Sequence, residues 1–442
     1  MITTKLWCKL KSVVSRVMFF FKHRRTDKKY RRFLKGRTIY FSIRPTRAGF
    51  SDQLLRFTAI YKIGKYLGLQ YFHIPFQPKP LIIETDQEAD ITSGKHEKLK
   101  DYSIYDFIGL NTHFNSTNPG FNAAEMETIT IILEKSELTK NGINNGFQFI
   151  CFLEEIILES LEGSLKKLVL VKFNISDEIP ALFRIIAGIP NKIGDIDFKQ
   201  IYFKSREAKP QQLRFDSDKI KCLMHIRQGD TATIKTPWNT FIQVWGRKKN
   251  SFVEFKQIHQ INDVSIVTVD EYYSFYKNLA QVFDPNQLST LLFSDGFARS
   301  FFILFEKTRK LNFTQNQVEQ LHQWAPTYNQ QAFNAFEDLL GQNMVIGEEI
   351  EKLYDLIHSF LNSDIVIFGT QQRMIPKLYA LYFRKKDGPL CIVLYRKKMV
   401  KYDFTDLPKI LENFVFVDLD NYEITEIHNR IMKFVEERKT PG

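Results

Sequence analysis

Two hydrophobic rhythms alternate along the chain. Short apolar runs recur at 38–44, 128–133, 168–173, 221–226, 290–293, 364–368, 390–395 and 414–417, with weaker ones at 71–74 and 81–85. Runs this short, closed by glycine or polar residues, predict strands buried on both faces. Between them, apolar positions three and four apart predict helices over 54–67, 147–161, 271–283, 298–307, 348–361, 374–383 and 425–437. Ser51 or Asp52 is placed to cap the first of these helices and Gly68 to end it. Three stretches resist this reading. Residues 86–127 are polar and loop-rich, 231–268 is a long segment without clear rhythm, and 311–345 is rich in Gln and Asn and reads as a helical insertion or a mobile loop. The alternation of strand and helix predicts an α/β protein with mainly parallel sheets covered on both faces.

The length of 442 residues suggests two domains. A polar stretch over 204–219, with Pro210 and two glutamines, puts the boundary near residue 215. The domains are then expected over 37–215 and 216–442. No apolar run reaches the roughly 18 residues of a membrane-spanning helix. Cys8, Cys151, Cys222 and Cys391 are widely separated and lack metal-site spacing, which reads as reduced, packed thiols of a cytosolic protein. His73, His96, His113, His259 and His322 show no pairing that suggests a metal site.

Charge changes the picture at one end. Residues 1–37 carry thirteen Lys or Arg and one acid, Asp27, whereas the remaining 405 residues carry 49 of each sign. A balanced body argues against a general nucleic-acid binder. Within 1–36, Leu6, Trp7, Leu10, Val13, Val14, Val17, Met18, Phe20 and Phe21 fall at helical spacing among lysines, and a polybasic run with Arg24, Arg25, Lys28, Lys29, Arg31 and Arg32 follows. This is the pattern of an amphipathic segment lying on an anionic membrane surface. It predicts a cytoplasmic protein held peripherally at the inner face of the membrane. A signal peptide is not expected, because Arg16 interrupts the apolar stretch and no small-residue cleavage site follows.

The candidate chemistry lies at strand ends. The run ending in His225-Ile226-Arg227-Gln228-Gly229-Asp230 turns abruptly from apolar to polar. Ligands of open α/β sheets bind beyond the carboxyl ends of such strands. Arg227 offers a planar, permanently charged fork suited to phosphate oxygens. Gly229 is expected to allow a positive-φ turn and close approach of a ligand. Arg227 and Asp230 could equally form a plain salt bridge capping the strand. Phe293-Ser294-Asp295 and Phe368-Gly369-Thr370-Gln371-Gln372 end two further strands, and Ala48-Gly49-Phe50-Ser51-Asp52-Gln53-Leu54 follows the first one.

These four segments, in this order, resemble the GDP-fucose-dependent fucosyltransferase superfamily, which includes bacterial α-1,2-, nodulation-type α-1,6- and protein O-fucosyltransferases. The resemblance spans roughly 38–385. It implies a GT-B-like architecture, two Rossmann-like domains facing across a cleft, and an inverting, metal-independent transfer of fucose from GDP-fucose to a glycan hydroxyl in surface polysaccharide or glycan synthesis. It implies no cofactor beyond the donor. Its partners are a nucleotide sugar and a glycan acceptor. By the same resemblance Arg227 binds the donor β-phosphate, Asp295 reads the base or ribose, Thr370 and Gln371 bind phosphates at a helix start, and Gly49 is the close-approach glycine of the first loop. His225, Gly229 and Ser294 belong to the same donor-binding motifs.

Two departures stand out. Gln228 occupies the position of a second arginine, which removes one cation from the expected site. The residues after Asp230 contain no glutamate to act as base, leaving Asp230 or Asp52 to activate the acceptor hydroxyl. Trp238 and Trp245 are candidate acceptor contacts, since aromatic faces suit sugar rings. Two other readings compete. A metal-dependent GT-A glycosyltransferase would use an Asp-x-Asp such as Asp195-Ile196-Asp197, Asp216-Ser217-Asp218 or Asp418-Leu419-Asp420. A catalytically inactive sugar-nucleotide-binding or membrane scaffold would need none of the catalytic groups.

Overall fold

The computed structural model describes residues 27–43, 50–74, 104–116, 126–175, 196–229, 231–246, 253–258, 266–284, 287–306, 313–347, 350–371, 374–383, 387–396 and 413–439. The basic amphipathic stretch over 1–26 and the strand expected at 81–85 lie outside them. The chain forms two compact units, which part between Ser205 and Arg206.

Unit one begins with a helix over 27–34 (α1) inside the polybasic run. Its Tyr30 is only 2% exposed, so the folded body extends into the segment read as a surface anchor. Strand β1 (Thr38–Ile43) is buried almost throughout and leads to α2 (Phe50–Tyr66). The helix starts earlier than its capping signal suggested: Ser51 and Asp52 lie in its first turn. Strands β2 (Gln70–Tyr71) and β3 (Glu127–Leu133), helix α3 (Gly146–Ser160), strand β4 (Leu168–Ile175) and helix α4 (Phe198–Ala208) complete the unit's main elements. The sheet order is β2-β1-β4-β3, all parallel. Gly64 lets α2 lie close on the sheet, since a Cβ there would strike the Phe41 ring at 2.5 Å. Phe41, Phe57, Tyr61, Tyr71 and Phe114 pack edge-on or tilted around that contact, a geometry that aromatic quadrupoles favour.

Unit two opens with β5 (Ile220–Ile226), fully buried from Cys222 on. The rhythmless segment that follows is an antiparallel meander of β6 (Thr231–Lys235), β7 (Phe241–Gly246) and β8 (Val253–Ile258). Then come α5 (Val269–Val282), β9 (Leu288–Ser294), α6 (Ala298–Glu306), α7 (Gln315–Leu340), β10 (Met344–Ile346), α8 (Ile350–Asn362), β11 (Ile365–Gly369), α9 (Met374–Tyr382), β12 (Leu390–Tyr395), β13 (Phe414–Asp418) and α10 (Ile424–Lys439). The Gln- and Asn-rich stretch is therefore a helix of 26 residues, opened by a reciprocal capping box between Thr314 and Gln317.

The second sheet runs β10-β9-β5-β11-β12-β13, with every pair parallel. Numbered along the chain within this sheet, that order is 3-2-1-4-5-6, the Rossmann order. Cys222, Met224 and Ile226 face a core built with α5, α6, α7 and α10. On the opposite face, Phe368 meets Phe414, which in turn meets Tyr379 of α9. Both faces being covered explains why the strands read as continuous apolar runs rather than alternating ones.

Candidate functional site

In a sheet of this order the chain winds one way from β5 and the other way from β11, which leaves a crevice between their carboxyl ends. The register sets what lines it. His225 pairs with Phe293 of β9 and Phe368 of β11, and Phe368 pairs with Val393 of β12. Two residues further along, Arg227, Asp295, Thr370 and Tyr395 come level on four neighbouring strands or their extensions. The three motifs picked out along the sequence thus meet at one edge of one sheet, although they are up to 145 residues apart.

Arg227 is partly exposed at this edge. His225, two residues earlier, is 6% exposed. Burial first, and the charge of Arg227 second, push its ring down to about 3. It is neutral at physiological pH, so it serves the interior rather than exchanging protons there.

The polar residues beside Arg227 are engaged with one another. Gln228 has no exposed surface. Its side-chain Nε2 donates to the Val267 carbonyl at 3.3 Å, its Oε1 accepts from the Thr233 amide at 3.3 Å, and its own amide donates to Asp295 Oδ1 at 2.5 Å. The position that departs from the fucosyltransferase pattern therefore faces inward and fastens β5 to the meander. Asp295, expected to read the base or ribose, holds the loop after β5 with one oxygen. Ser294 is 3% exposed and accepts from the Gly296 amide at 3.1 Å. Gly229 is buried, and its carbonyl accepts from Ser300 in the first turn of α6, as does that of Gln228. Among the described residues the left-handed glycine at these strand ends is Gly296, φ 67°, where an added Cβ would meet Asn329 and Ile346 at 3.2 Å.

The turn after β11 is also more occupied than expected. The Thr370 amide donates to the Leu394 carbonyl at 3.2 Å and so extends the β11–β12 pairing. Gln371, at 7% exposure, turns inward and donates to the Val267 carbonyl at 3.3 Å. Its Oε1 and the Tyr272 hydroxyl close over Gly369, where any Cβ would overlap both.

The structure adds a group that the sequence reading missed. Arg396 follows β12 directly and forms an ion pair with Glu271 at 9% and 11% side-chain exposure. Glu271 is the third residue of α5, where it completes a capping box: its Oε2 accepts from the Thr268 amide and hydroxyl, both at 2.8 Å. Asp420 lies 3.9 Å from Arg396 Nε. No local motif marks Arg396. Its only sequence signal was its place one residue past an apolar run.

Four predicted residues cannot be assigned to this edge. Gly49 and Asp230 lie outside the described residues, as do the side chains of Asp52 and Trp245. Trp238 sits at the tip of the β6–β7 hairpin and packs edge-on against Phe313 at 5.7 Å, beside Trp324, whose indole N–H donates to the Lys235 carbonyl at 3.3 Å. Asp195 of the Asp-x-Asp segments lies outside the described residues, and each segment makes a local contact. Asp197 caps α4 through the Gln200 amide, Asp216 pairs with Lys219 at 3.0 Å, and the Asp420 amide donates to Asp418 Oδ1 at 3.2 Å.

No family model matches the chain, and no curated protein matches it. Among solved structures, one described as trehalose-6-phosphate from E. coli bound with UDP-2-fluoro glucose aligns over 90% of this chain and 94% of its own, at 11% identity and a TM-score of 0.28. A likeness that low says nothing about chemistry, and we draw nothing from it.

Proposed function

We propose that the chain is a glycosyltransferase that takes a nucleotide sugar at the carboxyl edge of its second sheet, and that this donor is GDP-fucose. One observation carries the reading: Arg227 stands at the crevice between the first and fourth strands of a sheet in 3-2-1-4-5-6 order, the place where such sheets bind nucleotides. Displacing a nucleoside diphosphate from a sugar carbon builds negative charge on the β-phosphate. A guanidinium fork preset at that point stabilises the charge as it develops, without reorganising. Fucose, an inverting course and independence from metal come from the resemblance of the strand-end motifs, as does an acceptor side in unit one. Asp230 and Asp52, each within a matched motif, are the bases we propose for the acceptor hydroxyl.

Calorimetric titration of the full chain with GDP-fucose, GDP-mannose and UDP-sugars tests the donor. Tightest binding of GDP-fucose is expected. Preference for a UDP-sugar would remove the fucosyltransferase reading and keep a nucleotide-sugar site. Binding of none of them would remove both.

A further inference from the structure

We propose that Arg396 and Glu271 together set the anion affinity of the crevice, with Arg396 masking a carboxylate that would otherwise repel a nucleotide's diphosphate and supplying the site's second cation. The proposal rests on the reading of this edge as a nucleotide-sugar site and names a group at it that no sequence motif marks.

The argument starts from what a Rossmann crevice usually offers an anion. The helix after the first strand points its amino terminus at the ligand, and its unpaired amides and dipole favour negative charge. Here that helix is α5, and its amino terminus is unsuited to the task. The Thr268–Glu271 capping box takes up two of its amides, those of Thr268 and Glu271, and Asp270 and Glu271 place two carboxylates in the first turn. The next residue, Tyr272, reaches Gly369 at the end of β11, so Glu271 sits one residue from the wall of the crevice. An unmasked carboxylate there would oppose a diphosphate at short range, in surroundings that screen it little.

Arg396 answers that charge from the other side. Its place in the register follows from β11, where Phe368 pairs with His225 on one flank and Val393 on the other. Arg227 and Arg396 therefore emerge on opposite flanks of β11, one residue apart in level. Parallel strands lie roughly 4.8 Å apart, so the two backbones stand about 10 Å apart across the fourth strand. Arg227 continues the face of His225 and Phe368 while Arg396 turns to the α5 face with Ile392 and Leu394, so the two guanidiniums would reach a diphosphate at the carboxyl end of β11 from opposite faces of the sheet. Glu271 divides its oxygens, one to the helix cap and one to Arg396, which fixes the guanidinium in place. A nearly buried ion pair gives little net stability over an apolar pair of the same size, so stability alone is a poor account of it.

The two partners should respond oppositely. Arg396→Met is expected to weaken binding of inorganic pyrophosphate and of GDP by about tenfold or more, the scale of one hydrogen bond to a charged group. Glu271→Gln keeps the capping box, because Gln also serves at that helix position. It should tighten binding of both probes, and Arg396→Lys should recover part of what Arg396→Met loses. Thermal melting of each variant, followed with the isothermal titrations on the full chain, separates folding from binding. If Glu271→Gln weakens binding as Arg396→Met does, the pair is merely structural and the proposal fails. It fails equally if Arg396→Met folds and binds both probes normally. Should pyrophosphate and GDP obey the pattern while GDP-fucose is refused, the anion site stands and the donor assignment falls.

Discussion

Both units are parallel α/β sheets with buried polar networks, and they differ in what borders the network. In unit one the polar groups beyond β2 close on one another. Asn111 Nδ2 donates to Asp106 at 2.8 Å, which turns the amide oxygen toward His73 Nε2 at 3.0 Å and leaves His73 Nδ1 to accept from the Tyr71 hydroxyl at 2.8 Å. The Asp106 carboxylate can only accept, so each donor and acceptor in the chain is fixed in turn. His73 is 1% exposed, and both of its ring nitrogens are engaged inside the protein. In unit two a similar network of Gln228, Asp295, Ser300 and Gln371 ties the strand ends together, and Arg227 borders it, partly exposed at the edge of the sheet. Self-satisfied polar networks fix a fold. A partly exposed guanidinium bordering such a network is placed to meet an anion.

The largest effect should follow from breaking that edge. Arg227→Lys keeps the charge and loses the bidentate fork. Turnover, read as GDP release with a panel of glycan acceptors, is expected to fall about two to three orders of magnitude, on the scale of losing one transition-state donor. The melting temperature should hold, and the loss should fall on kcat more than on KM. A variant that melts early and turns over normally at low temperature would mean that Arg227 only caps β5.

A substitution one residue later should show the other behaviour. Gln228→Arg restores the letter of the fucosyltransferase pattern but places a cation where no surface is exposed. Burying it among the Val267 carbonyl and the Thr233 amide is expected to cost about 3 kcal/mol or more. Denaturant melting should register the loss. A gain in GDP affinity without destabilisation would show that this side chain can reach the crevice, and would erase the contrast between positions 227 and 228.

The smallest effect is a pH dependence confined to unit one. Burial lowers His73 from the usual 6.5 to about 4, partly offset by Asn111 and Asp106, with His113 adding a small push downward. A lowered pKa means that the unfolded chain binds the proton first. The stabilisation is therefore whole above about pH 6.5 and is lost as pH falls through about 4, up to roughly 3 kcal/mol. His73→Gln should flatten that limb in a urea-melting series. An unchanged acid limb would show that the Tyr71–His73–Asn111 chain does not control unit one's acid stability.

Legibility from sequence followed locality. Strands β1, β4, β5, β11 and β12 were readable because a strand covered on both faces is apolar at every position, and a run of that kind survives any tertiary context. Helices α5, α8 and α10 were readable from their apolar stripes. The meander β6–β8 was not, since its strands mix Thr, Lys and Gln with apolar residues and carry no long run. Helix α7 was legible only as one of two alternatives, a helical insertion or a mobile loop, because its few buried contacts, Leu321, Tyr328, Phe333 and Phe336, are spread along its length among polar residues and Pro326.

The sequence by itself determined that this is an α/β chain, which runs would be strands, and which polar residues would follow them. Arg227, Asp295 and Thr370 were found this way because a change from apolar to polar at a strand's end is written in adjacent residues. Only the tertiary structure decided what those residues face. Whether Gln228 points into solvent or into the protein depends on the Val267 carbonyl and the Thr233 amide. Whether Gln371 is available depends on Tyr272, 99 residues away. Whether Glu271 is masked depends on Arg396, which meets it only because strand order brings β12 beside β11. Pairing across a parallel sheet is set by crossover connections tens of residues long, and no local pattern records which strand ends they bring together.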